Sequence, residues 1–283
     1  MANSIALAEK FVPVIDGIYK KASLTAILDA QTQVSFDGTN TVKVMKVETT
    51  GLGDYSRENG YANGNATLTW EPFTLTEDRS AELSVDRMDD EETLGQAFGM
   101  IMSEFMRVNV APEVDAYRFA KYASTADIGS AAAALSDGAA VVSALRACAS
   151  AMDEAEVPAE DRVLFITPTL YGLVEDLDTT KSKEVLKRFS AVVEVPQTRF
   201  YTGITLNSGA SAWGYTKAAD AVNINFLAVS KSAVLQATKM ALPKVFTPDE
   251  NQTKDAWKFQ YRLYHDAFAF ENKVTGIYLH KAV

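Results

Sequence analysis

One cysteine and two histidines are all that 283 residues offer of those types. Cys148 alone forms no internal disulfide, so nothing in the chain points to an oxidising compartment. His265 and His280 have no zinc-type partner at useful spacing, and no glycine-x-serine-x-glycine elbow is present for a nucleophile. Positive charge is also scarce: 27 Lys and Arg stand against 37 Asp and Glu, for a net charge of −10. That balance argues against a chain built to grip nucleic acid or an anionic membrane, which needs a positive footprint. No apolar run approaches the ~18 residues of a membrane span. The first thirty residues lack the basic start and greasy stretch of a secretory signal, which leaves a cytosolic setting as the expectation. Apolar residues make up 47% and charged residues 23%, the balance of a globular chain rather than a disordered one. The length allows one large domain or two of ordinary size.

The pattern that is there changes period along the chain. Ile15, Ile18, Tyr19 and Ala22 follow helical spacing, but Pro13 and Gly17 interrupt it, so the first thirty residues read as a tethered arm with short helices. A period of two follows in Val42 and Val44, in Met45 and Val47, in Leu68 and Trp70, and in Ala81, Leu83 and Val85. Between the first two pairs of runs lies a stretch at 51–64 with four glycines and little to bury, which predicts two strands running out to a long polar tip and back. Pro72 shifts the large residues from even positions to odd ones, the mark of a bulge or an edge strand.

The clearest helix signal comes next. Leu94, Ala97, Phe98, Ile101, Met102, Phe105 and Met106 form one broad apolar stripe, and Asp89, Asp90, Glu91 and Glu92 stand at its start, where carboxylates suit the helix dipole. Pro112 predicts a kink or a restart between Val108 and Pro112, ahead of a second stretch carrying Val114, Tyr117 and Ala120. Residues 126–236 read as mixed α and β. Asp137 caps a helix with Val141, Leu145, Cys148 and Met152 on one face, Val163-Leu164-Phe165-Ile166 is a buried strand, Thr167-Pro168 opens a helix, and Val222, Ile224 and Phe226 alternate as a strand. Near the end, Trp257, Phe259, Tyr261 and Leu263 alternate with polar residues before Phe268 and Phe270 move to the other face.

Candidate chemistry is thin. Gly51-Leu52-Gly53-Asp54-Tyr55-Ser56 puts serine where a nucleotide fingerprint needs its third glycine, and no helix follows to receive a pyrophosphate. Asp249-Glu250-Asn251-Gln252-Thr253-Lys254 starts like a calcium loop, but Lys254 stands where glycine is needed and Gln260 where a closing glutamate belongs. The acids at 89–92 are explained by a helix start. The two histidines read as hydrogen-bonded structural residues, and Lys181, Lys183, Lys187 and Arg188 as a solvated helix face. No cofactor, metal or catalytic residue is expected.

A long helix, a hairpin arm, a tethered terminus and a mixed domain without chemistry suggest a protein whose product is contact area. The chain resembles the major capsid proteins of tailed bacteriophages with the Hong Kong 97-type fold. The resemblance runs along nearly the whole length. It rests on 51–61, on Met88-Asp89-Asp90-Glu91-Glu92-Thr93, on Pro112-Glu113-Val114-Asp115-Ala116-Tyr117, on Val195-Pro196 with Arg199-Phe200-Tyr201, on Pro243-Lys244-Val245-Phe246, and on Tyr261-Arg262-Leu263-Tyr264-His265-Asp266-Ala267-Phe268.

The resemblance implies an α+β fold with an N-terminal arm at 1–35 and an extended β-hairpin loop with its flanking strands at 36–85. A peripheral domain with a long spine helix falls at 86–125, an axial domain at 126–236, and the return strands of the peripheral domain with the C-terminus at 237–283. It implies a structural protein, not an enzyme, that self-assembles into hexamers and pentamers of an icosahedral head around double-stranded DNA, without sequence-specific binding and without a membrane. The location implied is the virion, after assembly in the host cytoplasm. Leu52, Asp54, Tyr55, Arg57, Tyr61 and Trp70 would make the intersubunit contacts of the extended loop, and Phe98, Phe105, Pro112 and Tyr117 would belong to the spine helix. The fold signatures begin too early for an N-terminal scaffolding segment, so a separate scaffolding protein, or none, is expected beside a portal. No lysine–asparagine cross-linking pair can be matched, so noncovalent burial or a decoration protein would stabilise the shell. An encapsulin-like cellular compartment shares the fold and is the alternative; an enzyme of unknown type is a third.

Overall fold

The computed structural model describes residues 22–29, 35–37, 40–58, 60–92, 97–177 and 184–283. Most of the expected arm at 1–35, Leu94 of the helical stripe, and Lys181 and Lys183 of the basic cluster lie outside them.

Strands β1 (Ser35–Asp37), β2 (Thr41–Thr49) and β3 (Ala66–Thr74) form an antiparallel sheet in that order. β2 and β3 pair without a break from Thr41 opposite Thr74 to Thr49 opposite Ala66, so the hairpin expected from the period of two is present. Pro72 lies opposite Lys43 on the outer strand and introduces no bulge; of the two sequence readings, the edge holds. The parity switch at Pro72 has a simple cause. At the base of the hairpin one face is buried, through Val42 and Leu75, which pack with Leu235 and partly buried Phe73. Farther out, the apolar residues lie on the opposite face.

β4 (Glu77–Asp86) leads into α1 (Arg87–Glu92), which carries Asp89 and Asp90 in its first turn. α2 (Ala97–Phe105) follows, and the Asp90 carboxylate accepts from Phe98 N at 3.4 Å. Phe98, Met102 and Met106 are buried, but Ile101 is 42% exposed. The apolar stripe is thus narrower than its sequence pattern, because Ile101 sits about 60° round the helix from Phe98, on the side away from Met102. Residues Met106–Val110 widen into a π-helical turn in which Ala111 N donates to Met106 O, before α3 (Ala111–Ala123) resumes. Pro112 explains the position: it has no amide hydrogen, and in α geometry its ring would strike the Val108 carbonyl. The kink or restart expected between Val108 and Pro112 takes the form of a π turn that begins at Met106, and the chain stays helical through it.

The remaining elements are β5 (Gly129–Ala132), α4 (Gly138–Glu154), β6 (Arg162–Ile166), α5 (Pro168–Asp176), β7 (Ala191–Glu194), β8 (Ile204–Leu206), β9 (Tyr215–Lys217), β10 (Ile224–Ser230), β11 (Val234–Phe246), β12 (Ala256–Ala269) and β13 (Ile277–Lys281). Asp137 caps α4 as expected, accepting from Ala140 N at 2.8 Å, and Val141, Leu145, Cys148 and Met152 are buried. Gly138 lets α4 approach the backbone of Leu173 on α5, where a Cβ would collide with the carbonyl oxygen. The strand expected at Val222 begins instead at Ile224, and it continues to Ser230 because both of its faces are covered.

A five-stranded sheet runs β5-β13-β10-β6-β7, and a three-stranded antiparallel sheet runs β11-β12-β4. The last strand, β13, thus joins the larger sheet, while β11 and β12 pair with β4. One helical rod serves both sheets. α2 lays Phe98 on Trp257 and Phe105 on Phe259 and Tyr261, whereas α3 drives Phe119 between Phe165 and Phe200, each 5.0 Å away. Phe268 and Phe270 pack on Phe73 at the hairpin base, so β12 does change its buried face along its length.

Candidate subunit-contact site

The outer half of the hairpin carries an apolar face that the described residues leave about half exposed. Met45 pairs with Trp70 and Val47 with Leu68, so all four side chains share one side of the ribbon, and each is between 52% and 56% exposed. The other side carries Val44, Lys46 and Glu48 opposite Glu71, Thr69 and Thr67. Lys46 pairs with Glu48 at 2.9 Å, and burial with the nearby Glu271 raises the Glu71 carboxyl above its ordinary value. Covering a large apolar side chain fully is worth about 1.5–3 kcal/mol, so four half-exposed ones represent several kcal/mol available to a partner surface.

The tip is also displayed. Leu52, Asp54, Tyr55, Arg57 and Tyr61 are exposed, and the Tyr55 and Tyr61 rings meet edge to face at 5.2 Å. Ser56 and Gly60 exchange backbone hydrogen bonds of 3.0 and 2.8 Å, closing a small turn that Gly60 permits at φ +79°. Trp70 stands apart from these five, on the apolar stripe. The four expected spine residues point the other way. Phe98 and Tyr117 are buried, Phe105 packs on the sheet, and Pro112 opens α3.

Three polar knots fix how the hairpin leaves the body. Asp266, fully buried on β12, accepts from Thr76 N and Oγ1 at the joint between β3 and β4, from Tyr117 Oη at 2.7 Å and from Ala267 N. Burial, reinforced by that carboxylate, pushes the Tyr117 hydroxyl well above its ordinary pKa. Asp115, fully buried on α3, accepts from Ser23 Oγ, Leu24 N, Thr25 N and Thr25 Oγ1 at 2.7–3.1 Å and pairs with Arg199 at 3.4 Å. Arg79 on β4 joins Glu113 at 2.7 Å, Asn207 O at 2.7 Å and Gly214 O at 3.4 Å, tying the strand that follows the hairpin to the spine and the β8–β9 loop. Sequence reasoning missed all three. A signal for one exists: Asp115 and Arg118 interrupt the apolar face of α3, and a charge in that position requires partners from elsewhere.

The other candidates stay apart. The 249–254 stretch folds as a turn, with Thr247 N and Oγ1 donating to Glu250 and Asn251 Nδ2 to Ala256 O. His280 stacks on Phe226 at 4.8 Å with its Nδ1 3.1 Å from Asn225 Nδ2, as a structural histidine should. His265 departs from that expectation. Among the described residues its Nδ1 has no hydrogen-bond partner, its ring meets Tyr117 edge to face, and burial, then the Arg118 charge, pushes its pKa down to about 3. Burial likewise pushes the Cys148 thiol up to about 12. Lys187 and Arg188 are exposed, Arg188 lying 3.7 Å from Asp153. Among the described residues no three acidic, histidine or cysteine side chains converge as a metal site would require, and no helix is long and apolar enough to cross a membrane.

No family model matches the chain, and no curated protein does. Solved structures do. The chain is similar to the capsid structure of the cyanophage P-SCSP1u, at 14% identity and a TM-score of 0.63 over 90% of this chain and 87% of that one. A virus-like particle from Pyrococcus furiosus matches at 11% identity and a TM-score of 0.63, over 96% of this chain and 98% of the other. The mature capsid of bacteriophage PhiM1 matches at 13% identity and a TM-score of 0.55, over 87% and 83%. The α+β fold of this chain is therefore the fold of phage capsid subunits, over most of its length.

Proposed function

We propose that this chain is the major capsid protein of a tailed phage, a structural subunit whose copies close into an icosahedral head around double-stranded DNA. The observation that carries the reading is the hairpin. Its apolar face and aromatic tip project from the body, and they belong to a fold shared over nearly its full length with capsid subunits. On this reading 36–85 is the extended loop, 86–125 the peripheral domain with its spine, and 126–236 the axial domain that meets its copies at the centre of hexamers and pentamers. Tyr55, Arg57, Tyr61 and Trp70 are then intersubunit contacts, residue types that dominate interfaces. A portal and a separate scaffolding or decoration protein are the partners to seek, and the virion is the location.

The near-complete mutual coverage with a virus-like particle favours one second reading, a shell of the same architecture that encloses something other than a genome. Electron microscopy of the purified protein tests the first claim: closed particles or capsomers are expected, and a strictly monomeric protein at high concentration overturns it. Nucleic acid in particles recovered from the native source, against protein cargo, separates the two readings.

A further inference from the structure

Among the described residues, the outer edges of β11, β3 and β1 are blunted or short in usable length. The outer edge of β11 carries a bulge at Lys239 and a proline at 243, and the turn Thr25–Leu28 covers its start through Gln236 Nε2, which donates to Thr25 O. β3 has Pro72, which limits a continuous ladder to residues 66–71, and β1 is three residues long. β4 is different. It is ten residues long, and among the described residues β12 is its only strand neighbour. It has no proline, glycine, lysine or bulge along its length. Its charged residues do not guard the edge either. Asp78 pairs with Arg262 at 2.9 Å, Glu82 accepts from Gln260 at 2.6 Å, and Arg79 is held by Glu113. An edge left open in this way invites another strand.

We propose that β3 of one copy adds antiparallel to the free edge of β4 in a second copy, with Trp70 opposite Ala81 and Leu68 opposite Leu83. The inference rests on the capsid reading and names the surface that receives the hairpin. Both strands alternate in the same sense. β3 has Leu68 and Trp70 on one face and Thr67, Thr69 and Glu71 on the other; β4 has Ala81 and Leu83 inward against the spine and Ser80, Glu82 and Ser84 outward. Joined in this register, Trp70 extends over small Ala81 beside exposed Trp213. There a cleft of about 350 Å³ is lined by Leu83, Phe105, Val114 and Tyr261. Thr67 meets Ser84, a favourable hydroxyl pair, and Thr69 meets Glu82.

Charge selects this register over its neighbours. Slipping by two residues in one direction sets Glu71 opposite Glu82, and in the other opposite Asp78, while the proposed register sets it opposite Ser80. A slip of one residue turns the whole apolar face outward. A six-residue ladder alone falls short of the ~800 Å² per partner that a stable interface buries, so it acts together with the Met45, Val47, Leu68 and Trp70 stripe and the tip.

The test uses the full chain in two singly substituted forms, Thr69→Cys and Glu82→Cys, mixed before assembly and oxidised. Each form has one accessible thiol, because Cys148 is buried, so a disulfide joining residues 69 and 82 can form only between copies. Linked dimers on a denaturing gel are expected at roughly tenfold the yield of the off-register pairs Thr69→Cys with Ser80→Cys or with Ser84→Cys, whose side chains stand too far apart for a disulfide. Amide hydrogen exchange on the unaltered chain is the second measurement, with protection of 80–85 expected on assembly. Particles without the 69–82 link, or equal linking at 80, 82 and 84, overturn the strand pairing and leave the capsid reading in place. The absence of any oligomer overturns both.

Discussion

Asp115 anchors the segment at 23–25. Its carboxylate takes two backbone amides, two hydroxyls and a guanidinium in a site with no solvent access. Asp115→Ala leaves those donors and the Arg199 charge without an acceptor, which is expected to lower folding stability by about 3–5 kcal/mol in denaturant titration. A loss below about 1 kcal/mol would show that the segment at 23–25 is not held there. His265 sets a pH dependence. Its folded pKa is depressed to about 3 while the unfolded chain protonates near ~6.5. Between those values the unfolded state binds the extra proton. The contribution is therefore full above the upper value and is lost progressively as pH falls towards the lower one. His280, lowered by burial, acts in the same direction. Thermal unfolding at a series of pH values should show stability falling below about pH 6.5, with a shallower fall in His265→Gln; an unchanged slope in the variant would remove His265 from the account.

At the scale of elements, the hairpin and the spine divide two tasks. Among the described residues the tip contributes to no core cluster, and the Tyr55 and Tyr61 rings contact each other. Removing 52–63 and joining the strands by a short turn should therefore change folding stability by less than about 1 kcal/mol. The same deletion is expected to abolish closed particles in electron micrographs, with Tyr55→Ala and Arg57→Ala weakening assembly more than Asn63→Ala. Normal particles from the deletion variant would show that the tip is not an intersubunit contact. The spine works inward instead: α2 faces the three-stranded sheet, and beyond the π turn α3 meets both sheets, with Tyr117 against His265 and Phe119 against Phe165.

For the whole molecule, the relevant quantity is charge. On the capsid reading, a net charge of −10 per copy, repeated over a closed wall, would repel phosphates at short range. Several of the cations are also engaged within the fold: Arg79, Arg118, Arg162 and Arg199 all have acidic partners within 4 Å. Isolated capsomers are expected to bind free duplex DNA weakly at physiological salt. Tight binding that weakens steeply with added salt, measured by fluorescence anisotropy, would contradict a passive acidic lining.

The sequence by itself determined the local conformations, because those depend on neighbours a few positions away. The alternation at 42–47 and 66–70 specified paired strands, Asp137 specified a helix start, and Pro112 specified an irregularity in the spine, which is a π turn. It also carried the capsid resemblance, through ordered signatures from 51 to 268. The tertiary structure alone decided which apolar faces remain open and which buried charges meet. Ile101 and Met102 are equivalent in a hydropathy pattern, yet one is exposed and the other covered, because the sheet reaches only part of the way round α2. Val42 and Met45 likewise sit in one alternating run, yet Val42 is buried at the base of the ribbon and Met45 lies open on the opposite face farther out. The Asp115 knot joins residues about ninety positions apart, and Asp266 meets Thr76 across 190. No spacing rule reaches that far; only the packing of α3 against both sheets brings those partners to the root of the hairpin.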